Sequence, residues 1–250
     1  MENKEALQKE AAFLFPKKIN CAVCREEFPT KRVRSAKLRR LQPDFDLRPR
    51  FQDIDTLKYD VDSCPFCGYT AMSNYFGPLS KLQISQILEQ ICMTFTPPTE
   101  EEPETFGYGR AIARYEQALK CSQVKNAKTS EIAYTYLKLS WLYRSYAEES
   151  QMEKAMYEER SKTYYKEAYD GFQKAISSEE FPICGMDSLT MDYLLACMAF
   201  HFKEYSFASK SLSNILSSKT ASRRIKDKAL DLKEIIVAAI KKEAEQKQAG

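Results

Sequence analysis

The sequence predicts a mainly α protein: a small cysteine-stapled ribbon of short β-strands, followed by a stack of α-hairpins. Three observations lead there. Two CxxC pairs occur, Cys21 and Cys24 in CAVC and Cys64 and Cys67 in CPFC. Beyond residue 80, apolar residues recur at helical spacing. Glycine is scarce, 7 among 250 residues, while Lys, Glu, Ala and Tyr are abundant, a composition that favours helix over sheet.

The amino-terminal stretch MENKEALQKEAAFLF carries scattered acids and no apolar core segment, so it does not read as a secretory signal. No run of eighteen apolar residues follows, and no membrane-spanning helix is expected. The expected location is therefore the cytoplasm. In a reducing compartment, 8 cysteines point to metal or buried thiols rather than disulfides. A net charge of +3 is too small to imply a nucleic-acid partner unless it is concentrated locally.

A CxxC turn directs both sulfurs to one side. Two such turns supply the four corners of a tetrahedral site, with metal–sulfur distances of about 2.3 Å for zinc. Gly68 follows the second pair, where positive φ is often needed. Arg25 follows the first, so that turn is expected to be less ideal. The flanks KKIN, EEFPTKRV and TLKYDVDS read as short strands bringing the two knuckles together, a zinc ribbon. The long insert between the pairs is expected to loop around Pro43 and Pro49. A thioredoxin-like redox role would place one pair at a helix N-terminus after a strand, which this pattern does not do. Four thiolates close the coordination shell, so the Zn2+ predicted at Cys21, Cys24, Cys64 and Cys67 is structural. Four thiolates also hold iron, and the sequence does not choose between the two metals.

The insert opens on KRVRSAKLRR. Lys31, Arg32, Arg34, Lys37, Arg39 and Arg40 are candidate phosphate contacts. Aromatic residues for base stacking are sparse there, so an acidic protein partner or plain solvation is favoured over nucleic acid.

Ser80 is placed to cap a helix carrying Ile84, Ile87, Leu88, Ile91, Cys92 and Phe95 on its apolar side. TPPTEEEPE then ends it as an acidic, proline-rich linker. From Thr105 the chain reads as successive helices. The segments AIARYEQAL, AYDGFQKAI and ASKSLSNIL each place a small residue ahead of a larger apolar one. They resemble the second helix of a tetratricopeptide repeat, at spacings longer than the usual period of roughly 34 residues. Extended helices through AEESQMEKAMYEERSK would account for the excess. A last helix from about Ser222 to Glu245, with Ile225, Ala229, Leu232, Ile236 and Ala239 on one face, reads as a cap on the stack, and KKEAEQKQAG as a frayed tail. The expected division is residues 1–78 as zinc-ribbon domain with basic insert, 79–104 as connecting helix and linker, and 105–250 as tetratricopeptide-like helical domain with its capping helix.

On CAVCREEF, KRVRSAKLRR, YDVDSCPFCGYTA, ALKCSQVKNAKTSEIAYTYLKLSWLYR and YYKEAYDGFQKAI, the chain resembles a bacterial family of uncharacterised proteins, a domain of unknown function. Its members join a CPxCG-type ribbon to tetratricopeptide-like helices. That resemblance implies the architecture and carries no activity with it.

Repeat stacks bind peptides along a concave face. Tyr134, Trp141 and Arg144 from one hairpin, and Tyr193, Cys197 and His201 from another, are the candidate partner contacts, Trp141 lining that face or filling the space between hairpins. Motifs for zinc hydrolases, serine esterases, P-loops and dinucleotide folds do not occur. The single histidine, His201, stands one helical turn after Cys197, in a segment that reads as packing helix. The expectation is a non-enzymatic zinc-binding adaptor for a protein or peptide. A nucleic-acid-associated factor and a thiol/zinc redox sensor are the alternatives.

Overall fold

The fold is that of a computed structural model describing residues 4–150 and 152–248. Among the described residues the order is helix α1 (Lys4–Ala11), strands β1 (Leu14–Asn20), β2 (Glu27–Val33), β3 (Val61–Ser63) and β4 (Thr70–Met72), then helices α2 (Lys81–Gln90), α3 (Tyr108–Val124), α4 (Thr129–Glu149), α5 (Lys154–Ser178), α6 (Ser188–His201), α7 (Tyr205–Ser217) and α8 (Arg223–Gln248). The mainly α class with small β-ribbons is as predicted. Each CxxC sits in the turn of its own antiparallel hairpin, β1–β2 for the first and β3–β4 for the second. TLKY, expected to extend into a strand, instead forms a 3-10 turn, Thr56–Tyr59. The Asp55 carboxylate accepts from the Leu57 N–H there and caps it.

The chain divides into two compact units. One comprises residues 1–42 and 49–168; the other comprises Pro43–Arg48 and the chain from Tyr169 onward. The division thus falls within α5, not at the acidic linker as the sequence suggested. The reason is visible on α3 and α4, which pack on the ribbon. The Arg114 guanidinium donates to the Val61 carbonyl at 2.8 Å and pairs with Glu102 at 2.6 Å. Lys138 pairs with Asp60 at 2.6 Å. Glu102, from the acidic run, also meets Lys31 at 3.2 Å, so the linker is tied down by charge rather than loosely solvated.

Ser80 caps α2 as expected, accepting from the Gln83 N–H while Gln83 reaches back to the Ser80 N–H. Ile87 and Ile91 are buried; Leu88 is exposed. The long helix expected through AEESQMEKAMYEERSK is interrupted. α4 ends at Glu149, Ser150 turns to extended backbone, and α5 starts at Lys154. That break lets α5 return along α4, where the Ser161 hydroxyl donates to the Ser140 carbonyl at 2.9 Å and Tyr146 stacks on Tyr157 at 4.1 Å between centroids. The small residues Ala111, Ala168 and Ala208 are each fully buried, the close approach their segments predicted.

In the second unit, α6, α7 and α8 pack together around Leu194, Leu195, Leu212, Ala229, Leu232 and Ile236. α8 continues to Gln248, so most of the tail expected to fray is helical; Ala249 and Gly250 lie outside the described residues. Among the described residues, no helix is long and apolar enough to cross a membrane.

Candidate metal centre

Each knuckle is a closed turn. In the first, the Cys21 N–H donates to the Glu26 carbonyl at 2.9 Å and the Arg25 N–H to the Cys21 carbonyl at 3.1 Å. The second repeats this: Cys64 N–H to Tyr69 carbonyl at 2.9 Å, Gly68 N–H to Cys64 carbonyl at 3.0 Å. Arg25 takes φ 71° and Gly68 takes φ 76°. The first turn, expected to be less ideal, therefore adopts the same geometry despite its arginine. Gly68 is required twice over, since a Cβ there would lie 2.3 Å from the Phe95 ring.

The two turns face each other. Cys21 and Cys67 sulfurs are 3.6 Å apart, Cys24 and Cys64 likewise 3.6 Å, and the four ligand atoms all lie within 4.8 Å of one another. Four sulfurs about 2.3 Å from a central ion would lie about 3.8 Å apart on each edge of a tetrahedron. The observed spacing fits a metal ion held by all four. Cys21, Cys64 and Cys67 are buried and Cys24 half-buried. Val23, Phe28, Tyr69, Phe76, Ile87 and Ile91 close an apolar shell around them.

The chemistry of the donor set agrees with the geometry. Hydrogen bonds from the Cys64 and Cys67 sulfurs let Cys21 ionise first, at about 2. That thiolate then holds the proton on its neighbours: Cys64 is pushed up to about 12 and Cys67 is driven higher still. Four thiolates in this volume repel one another. A divalent cation at the centre would reverse the balance and stabilise all four together.

The remaining predicted residues are placed differently. Arg32 grips Asp62 through both guanidinium nitrogens, at 2.6 and 2.7 Å, and Thr30 donates to the same carboxylate at 2.6 Å. Lys31 pairs with Glu102, Arg34 donates to the Leu14 carbonyl and lies over Phe15, and Lys37 donates to the Ala12 carbonyl. Arg39 and Arg40 are exposed. The basic run is thus largely engaged within the fold, and Arg32 and Lys31 are corrected from candidate phosphate contacts to structural ion pairs.

The candidate concave face needs a similar correction. Trp141, Tyr193 and Cys197 are 4%, 0% and 5% exposed, so all three are interior side chains. Tyr134 is half-buried beside Lys138, and Arg144 half-buried over Tyr165. His201 is exposed. The Cys197 thiol donates to the Phe45 carbonyl at 3.4 Å, and burial pushes it up to about 12, the opposite of an activated thiolate. Sequence reasoning missed that two further cysteines pack in the apolar cluster around these four. Cys92 and Cys121 belong to the same apolar cluster as the four ligands. Helical periodicity placed Cys92 on the buried side of α2 but gave no sign of what it faces.

The two knuckles define a four-cysteine ribbon protein carrying appended helical hairpins. More particularly, residues 14–236 match the family described as an uncharacterized protein conserved in bacteria (DUF2225), and the chain belongs to it. No curated protein and no solved structure matches it.

Proposed function

We propose that this chain is a non-enzymatic interaction protein in which a structural zinc ion, held by Cys21, Cys24, Cys64 and Cys67, fastens the ribbon so that the ribbon and the α3–α4 hairpin present a surface to a protein or peptide partner. The observation that carries the zinc reading is the approach of four sulfurs within 4.8 Å, enough to fill a tetrahedral shell by themselves. Zinc suits a closed, redox-inert staple; iron in the same shell would bring colour and a redox couple. The thiol–imidazole pair read from Cys197 and His201 lacks an activated sulfur, which supports a non-catalytic role.

Partner binding is supported by apolar side chains left in water beside the metal centre. Phe66 in the second knuckle is 52% exposed, Leu82 on α2 is 69% exposed, and Met93 just after α2 is 81% exposed. The tetratricopeptide-like reading of the helices belongs to this proposal and would place further contacts on half-buried Tyr134 and Arg144. The test is affinity purification of the full chain from a bacterial host, with metal analysis of the same sample. The expected result is stoichiometric zinc and a co-purifying protein whose recovery falls with Leu82→Glu and Met93→Glu. A sample with full zinc whose companion proteins ignore both changes would contradict the partner reading.

A further inference from the structure

Helix α8 closes the second unit with one face and leaves another uncovered. Ala229, Leu232 and Ile236 are buried where α8 packs on α6 and α7. Its far end is held by Glu243, which pairs with Lys203 at 2.8 Å and accepts from the Tyr205 hydroxyl at 2.8 Å. A helix that ends a stack normally turns a polar side to water. Here Leu230, Val237 and Ile240 are 47%, 58% and 42% exposed, and Ala244 is exposed as well. Leu230, Val237 and Ala244 recur every seventh residue with Ile240 beside them, so they form one stripe along the helix. Exposed Lys233 interrupts the stripe, but its stem can lie along apolar surface with the charge in water.

The charges beside the stripe say what it fits. Glu234 and Lys241 are both exposed and stand two turns apart on the same flank. Neither has an ion pair or hydrogen bond among the described residues. We propose that the outer stripe of α8 is a self-association site, on which a second copy of this chain lays its own α8 antiparallel, about a twofold axis passing beside Val237 and Ala238. Such an axis brings the same flank of both copies together. Glu234 of each copy then faces Lys241 of the other, and two ion pairs border the apolar contacts of Val237 and Ile240. A parallel pair would set Glu234 against Glu234 and Lys241 against Lys241, so charge selects the antiparallel arrangement. One helix face buries less than the ~1,200 Å² of a stable interface, so the dimer is weak and concentration-dependent.

Sedimentation equilibrium of the full chain over a range of concentrations tests this. The expected result is a monomer–dimer equilibrium. Val237→Glu should weaken the dimer at least about tenfold, because it would bury an unpaired charge. Glu234→Lys and Lys241→Glu should each weaken it several-fold. The double variant should restore it, and an equimolar mixture of the two single variants should associate more tightly than either alone. The charge exchange keeps the composition of the helix, so it decides the matter even where Val237→Glu perturbs α8. Leu82→Glu, which tests the surface beside the metal centre, should leave the dimer unchanged, so the two proposals fail separately. A chain that stays monomeric at high concentration, a dimer indifferent to Val237→Glu, or a double variant as weak as the single ones would overturn the proposal.

Discussion

Arg25 and Gly68 occupy the same place in the two knuckles, and both have left-handed backbone, φ 71° and 76°. For a residue with a side chain that conformation costs about 1–2 kcal/mol. Arg25→Gly is therefore expected to stabilise the metal-loaded protein by about 1 kcal/mol in denaturant unfolding. Gly68→Ala is expected to destabilise it by more than about 2 kcal/mol, because the overlap with Phe95 adds to the backbone cost. The glycine was legible as a turn residue; its second role was not, because Phe95 lies far along the chain. A pH dependence belongs to the same scale. With Cys64 held up to about 12 while no cation is bound, metal binding must displace protons at neutral pH. Affinity should fall steadily as pH is lowered, seen as rising metal loss in competition with a chelator of known proton affinity. An affinity independent of pH would show that the thiols are not the ligands.

Among the elements, the two hairpins meet through the Arg32–Asp62 pair. Asp62 is 1% exposed, and Arg32 and Thr30 on β2 both donate to its carboxylate. Arg32→Ala would leave a buried carboxylate without its countercharge, at a cost of roughly 3–5 kcal/mol in unfolding free energy. A phosphate-binding arginine would instead cost little stability when removed, so the same measurement separates the two roles. Strands β1, β2 and β3 were readable because β-branched and apolar residues flank the CxxC pairs; β4 was not read. Charge composition alone, however, made Arg32 look solvated. The partner Asp62 stands thirty residues away, and nothing local links them. The break between α4 and α5 was missed for a related reason. No glycine or proline marks residues 150–153, and the turn is stabilised by tyrosines that stack only once α5 has folded back.

At the scale of the whole molecule, periodicity identified the helices but not which of their faces are covered. Trp141 and Tyr193 look alike in sequence to binding aromatics, yet both are interior, because burial depends on neighbours distant along the chain. The four clustered cysteines could be read from spacing because each CxxC makes its own turn. Cys92 and Cys121 lack such a local signal and reach the same apolar cluster only by packing. Since the ligands sit at the heart of one apolar cluster, metal removal should reach beyond the ribbon. An ion contributing on the order of 10–16 kcal/mol exceeds what a small domain has to spare. Chelation is expected to abolish hydrogen-exchange protection in β1 to β4, while α6 and α7 stay protected. The most direct test of the account is X-ray absorption at the metal edge of the purified protein. It should show one zinc per chain with four sulfur neighbours at about 2.3 Å; a metal-free folded ribbon, or a shell containing nitrogen or oxygen, would contradict it.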